Sequence, residues 1–185
     1  MTTTHTPTKT TAAFCAMGAA VSLAVGGVLQ LSDSQSSQST VEGVAEHLIL
    51  VSFSATLFLL IPVMLHLARL AGRPVVGVVM ACGMGTLAVL GTISNVRGED
   101  PSFFAAVAVP TNLIWFGGSI ALAVMLRRRG LVPLALAIGL PLAWIFALPM
   151  SAIGGGLVAG AYWLTVGWLL RHDELPSAAR QPAAA

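Results

Sequence analysis

Six apolar runs, each near the length a helix needs to cross a bilayer, leave this chain little choice of fold. They cover residues 12–31, 44–67, 75–93, 103–126, 131–150 and 152–170. At 1.5 Å of rise per residue, about 20 apolar residues span a hydrocarbon core roughly 30 Å thick. Inside that core each backbone N–H and C=O must find a partner within its own segment, which a helix provides. The expectation is an all-α integral membrane bundle of six transmembrane helices in one domain over residues 12–171. Residues 1–11 and 172–185, rich in Thr, Pro or Ala, read as flexible tails.

The two last runs nearly touch. Joined, their roughly 40 residues would make a helix of about 60 Å, twice the membrane thickness. They must fold back, and Pro149 with Gly154, Gly155 and Gly156 supplies the break. If the turn consumes that stretch, the final helix is short.

Composition agrees with this reading. The chain is 56% hydrophobic and only 9% charged, and its mean hydropathy is +0.88. No soluble core of 185 residues hides that much apolar surface. A net charge of +2, dispersed between the runs, argues against nucleic acid as a partner and leaves the lipid bilayer. Its arginine, alanine, glycine and valine content suits a GC-rich bacterial genome. Cys15 and Cys82 sit apart in apolar runs and read as buried small hydrophobes. The first run, preceded by a Thr-rich head and lacking a clean cleavage site, reads as a retained span and not as a signal peptide.

Cations set the direction of insertion. With the N-terminus inside, Lys9, Arg69, Arg73, Arg127, Arg128, Arg129, Arg171 and Arg180 all fall on the cytoplasmic side. Only Arg97 falls outside. The expectation is a multi-pass protein of the cytoplasmic membrane with both termini inside. Asp33, Glu42, Glu46, Glu99 and Asp100 lie at the outer end, Asp173 and Glu174 at the inner.

Polar residues within this framework are the candidates for chemistry. Glu42, Glu46 and His47 open the second span, and Ser39 and Glu42 have the spacing of a capping box. Glu42 and Glu46, at i and i+4, share a face. These groups read either as solvated interfacial charges or as an acid/base or proton-linked binding group. In the fourth span Asn112, Trp115 and Ser119 share a face just after Pro110. They suit either an interhelical hydrogen bond with a packed tryptophan or the wall of a cavity. Asp100 and Pro101 read as the N-cap and first residue of the fourth helix. That leaves Arg97, with Asn95 behind it, unexplained by turn chemistry. The expectation is that Arg97 pairs with Glu46 or Glu42 across the bundle, as a lid over an outward-facing pocket between spans two, three and four.

Cofactor chemistry finds little footing. His47 and His66 lie near opposite membrane surfaces, which excludes a bis-histidine haem, and zinc has too few clustered ligands. Neither metal nor cofactor is expected. Small residues recur at four-residue spacing, as in Ala12, Ala16 and Ala20; Gly18, Ser22 and Gly26; Gly77, Ala81 and Gly85; and Ala152, Gly156 and Gly160. Such stripes serve either packing within the bundle or docking of a membrane partner or second copy.

Three functions remain open. One is binding or translocation of a small amphipathic ligand by Glu42, Glu46, His47, Asn95, Arg97, Asn112 and Trp115. The second is a membrane enzyme, a cyclase or isomerase of a lipophilic substrate, using Glu46 or His47 as acid or base. The third is an accessory or structural subunit. In length, span number and inward termini the chain resembles the substrate-binding subunits of energy-coupling-factor importers. That resemblance implies a partner transporter, which the alanine stripe of the first span would suit.

Overall fold

Every apolar run becomes a helix, because no other local structure satisfies its backbone without outside partners. The computed structural model describes residues 8–32 and 43–172. Their helices are α1 (Lys9–Ser32), α2 (Val44–Leu70), α3 (Pro74–Arg97), α4 (Phe104–Arg128), α5 (Leu134–Ala147) and α6 (Gly155–Arg171). The first four are long and apolar enough to cross a membrane. The chain is a helical membrane bundle. Glu42, Ser39 and most of both tails lie outside the described residues.

Each helix packs antiparallel against its sequence neighbours, and α6 returns to pack against α1, closing a ring of six. The α1–α6 seam is built from small residues. A Cβ added at Gly160 would lie 2.9 Å from the Ala20 carbonyl oxygen, and one at Gly167 would lie 3.0 Å from that of Ala13. Ala12, Ala16 and Ala20 are buried. The first alanine stripe is thus consumed within the bundle, where close backbone contact replaces the hydrophobic drive that lipid removes.

Two connections show why the chain turns where it does. Gly98 ends α3 at φ 74° with its N–H bonded to the Ser94 carbonyl, a left-handed cap that glycine adopts without steric cost. Gly154, at φ 82°, precedes α6 after a single 3-10 turn at Ser151–Ile153. The break between the fifth and sixth runs falls where proline and glycines predicted it. It takes three residues from each run, and α5, which also starts three residues into its run, has 14 residues to the 17 of α6.

Two local expectations are corrected. Asp100 does not cap α4. Residues 101–104 form a turn first, with the Phe104 N–H on the Pro101 carbonyl, and the helix starts at Phe104. Nor are the cysteines both buried: Cys15 is half-buried, and Cys82 is exposed on the outside of the bundle. In a membrane that outer face meets lipid, so burial within the protein no longer marks where a small apolar side chain goes.

The two ends of the bundle differ in charge. Lys9, Arg69, Arg73, Arg127, Arg128, Arg129 and Arg171 lie at one end. Glu46, Glu99, Asp100 and Arg97 lie at the other.

Candidate functional site

At the acidic end, α2 begins on Gly43 in an extended conformation, with φ −117° and ψ 157°. The first turn of a helix leaves donors without intrahelical acceptors. Glu46 answers one of them, its Oε2 accepting the Gly43 N–H at 3.0 Å. Its carboxylate therefore has a capping task.

His47, on the next face of α2, points to α3. Its Nδ1 lies 2.7 Å from Asn95 Oδ1. A carboxamide oxygen only accepts, so Nδ1 is the donor in this bond. Two residues singled out separately in the sequence thus meet and fasten α2 to α3.

Arg97 does not cross the bundle. Its Nη2 lies 3.5 Å from Glu99 Oε1, and both side chains are more than half exposed, at 54% and 63%. The left-handed turn at Gly98 brings Glu99 back beside Arg97, and a partner two residues away costs less ordering than one on another helix. Among the described residues Arg97 pairs with Glu99 in its own loop, and the expected partner Glu42 lies outside the described residues.

Asn112 works on the far side of the ring. Its Nδ2 donates to the Ala108 carbonyl at 2.9 Å, and its Oδ1 accepts the Trp144 indole N–H at 3.3 Å. Phe116 packs on the same indole with centroids 4.8 Å apart. Together they pin α4 to α5. Trp115 is buried in the core, and the Ser119 hydroxyl donates to its carbonyl at 2.9 Å. Of the sequence candidates, His47 and Asn95 meet on α2 and α3, whereas Asn112 on α4 bonds Trp144 of α5, which the sequence does not single out. Neither pair reaches the other.

A cavity of about 170 Å³ opens instead between α1, α2 and the α5–α6 turn. Ser22, Gly26 and Gln30 line it from α1 at successive four-residue steps, Ser52 and Thr56 from α2, and Ser151 from the turn. The Thr56 hydroxyl is turned to the Ser52 carbonyl at 2.8 Å. Leu23, Phe53 and Leu148 supply apolar wall, and among the described residues no charged side chain lines the space. Gly26 helps to open it, since a Cβ there would meet only Ser52 Cβ, at 3.6 Å. The sequence signal was the Ser22–Gly26–Gln30 step, which also reads as ordinary close packing. Only the return of α6 to α1 turns it into a wall.

Among the described residues, no three His, Cys, Asp or Glu side chains gather as metal ligands. In comparison with known proteins, the chain matches no family model, no curated protein and no solved structure. Function must be argued from the geometry.

Proposed function

We propose that this multi-pass membrane protein holds a small, uncharged amphipathic ligand between its helices at the acidic end of the bundle. The observation that carries the reading is the cavity bounded by α1, α2 and the α5–α6 turn. Hydroxyls at Ser22, Ser52 and Ser151 and the Gln30 amide offer donors and acceptors, while Leu23, Phe53 and Leu148 suit an apolar body. A lining without charge among the described residues suits a neutral molecule. Its volume, about 170 Å³, is close to the roughly 150 Å³ of a cavity that accepts benzene. A single substituted ring or a short-chain alcohol or amide is the right scale. By the positive-inside rule the acidic end faces outward from the cell membrane, with both termini inside. At that end His47 and Asn95 fasten α2 to α3, Glu46 caps α2 and Arg97 pairs within its loop, and none of the four lines the cavity. Acid/base catalysis has less support, because the Glu46 carboxylate caps α2 and His47 Nδ1 is held by Asn95.

The test is a thermal-shift screen of the purified protein in nanodiscs against small neutral amphiphiles, repeated on Gly26→Leu. That substitution fills the cavity from a position with open space beyond its Cβ. A ligand should raise the melting temperature of the wild type and leave Gly26→Leu unmoved. A shift that survives in Gly26→Leu places the ligand elsewhere and sinks the reading.

A structural or accessory role is the second reading, favoured by Asn112. The most deeply placed amide of the fourth span is spent on tying α4 to α5. On that reading nothing in the screen shifts the wild type, and Gly26→Leu assembles as the wild type does.

A further inference from the structure

A groove of about 400 Å³ runs between α4 and α5 on the outside of the bundle. Ile120 and Val124 form one wall and Leu134 and Ile138 the other, all four exposed. Buried Ala123 and Ala137 make its floor, and their small side chains give it depth. From residue 120 to residue 128 the trough is about 12 Å long. In a membrane it faces acyl chains.

Arg127 and Arg128 stand at its end. Arg127 Nη1 donates to the Val132 carbonyl at 3.4 Å, which holds it over the α4–α5 turn. Neither arginine has a carboxylate partner among the described residues, whose acids Glu46, Glu99 and Asp100 lie at the opposite end. Arg129 is different, since its Nη1 turns to the Leu70 carbonyl at 3.4 Å.

We propose that this groove seats one anionic phospholipid, with an acyl chain along the trough and the phosphate on Arg127 and Arg128. An apolar channel that ends in two guanidinium groups with no carboxylate partner among the described residues matches the order of parts in such a lipid. Guanidinium forks suit phosphate oxygens, and basic pockets between membrane helices recognise anionic headgroups. A zwitterionic headgroup brings its own cation to the same place and gains less.

Native mass spectrometry of the full chain in detergent, titrated with phosphatidylglycerol or phosphatidylcholine of identical chains, tests the proposal. The wild type should prefer phosphatidylglycerol about 30-fold, the factor expected from two interfacial arginines. Added salt should narrow the preference. The double substitution Arg127→Gln with Arg128→Gln should abolish it, whereas Arg129→Gln should keep most of it. Val124→Trp fills the groove while sparing both arginines, and should weaken phosphatidylglycerol binding about tenfold through lost acyl burial. Equal binding of the two lipids by the wild type, or a preference that ignores salt or survives the double substitution, overturns the proposal. So does undiminished binding by Val124→Trp, which would mean that surface charge attracts the lipid without a seat.

Discussion

The 2.7 Å bond between His47 and Asn95 joins two helices at one end of the bundle. The carboxamide carries no charge, so the contact is a hydrogen bond and not an ion pair. Interhelical hydrogen bonds of this kind average about 0.6 kcal/mol and reach about 1.7 kcal/mol. A double-mutant cycle on His47→Phe and Asn95→Leu, followed by unfolding in mixed micelles, should return a coupling within about 0.5–1.5 kcal/mol. Zero coupling would mean that the bond adds nothing to the α2–α3 seam. In the same assay Arg97→Gln should change stability by less than about 0.5 kcal/mol, because its partner Glu99 is as exposed as it is. The chemistry of His47, Asn95 and Asn112 was legible from residue type and depth. Their partners were not. Whether His47 meets Asn95 depends on the register of α2 on α3, which the turn at the opposite end of both helices sets. Trp144 carries an indole N–H donor, but its sequence position did not say that Asn112 would be the acceptor.

Helix positions were easier to read than helix lengths, and α5 shows why. Apolar residues continue from 131 to 150, but the helix occupies only Leu134–Ala147. Beyond it, backbone bonds within the turn take over: Met150 N–H to Ile145, Ser151 N–H to Leu148, Gly154 N–H to Ser151 and Gly155 N–H to Met150. A turn that satisfies its own backbone tolerates an apolar setting, so hydropathy does not mark its start. The turn still exposes Met150 and Ile153. The other feature that composition leaves hidden is the neighbour chosen by α6. Its glycines admit the α1 backbone so closely that a side chain has nowhere to go. Gly160→Val should destabilise the bundle by about 1–3 kcal/mol, since its Cβ would press on the Ala20 carbonyl oxygen. Gly117→Ala is the control, a helical glycine with nothing within 4 Å of an added Cβ. It should be neutral or stabilising by up to about 1 kcal/mol. Equal effects at the two positions would remove close approach as the reason for the small-residue seam.

For the molecule as a whole, the helices are unequal in length around a closed ring. α1 to α4 have 24 to 27 residues, while α5 and α6 have 14 and 17. At 1.5 Å per residue the short pair rises about 21 and 25 Å, against a hydrocarbon core of roughly 30 Å. Tilt accommodates helices that are too long, but a helix that is too short draws the bilayer inward or leaves its ends in hydrocarbon. The self-satisfied turn after α5 softens the second cost without removing it, because Gln30 and Ser151 at the cavity still favour water. The protein should therefore be more stable in thin bilayers than in thick ones. Reconstituted in phosphatidylcholines of 14-, 18- and 22-carbon chains at about one headgroup area, its melting temperature should fall as the chains lengthen, at a cost of fractions of a kcal/mol per ångström of mismatch. Filling the cavity with Gly26→Leu should not alter that slope, since the slope belongs to the length of α5 and α6. A melting temperature that is flat or rises with thickness would place the α5–α6 hairpin outside the hydrocarbon core, and the bundle would then cross the membrane on α1 to α4 only.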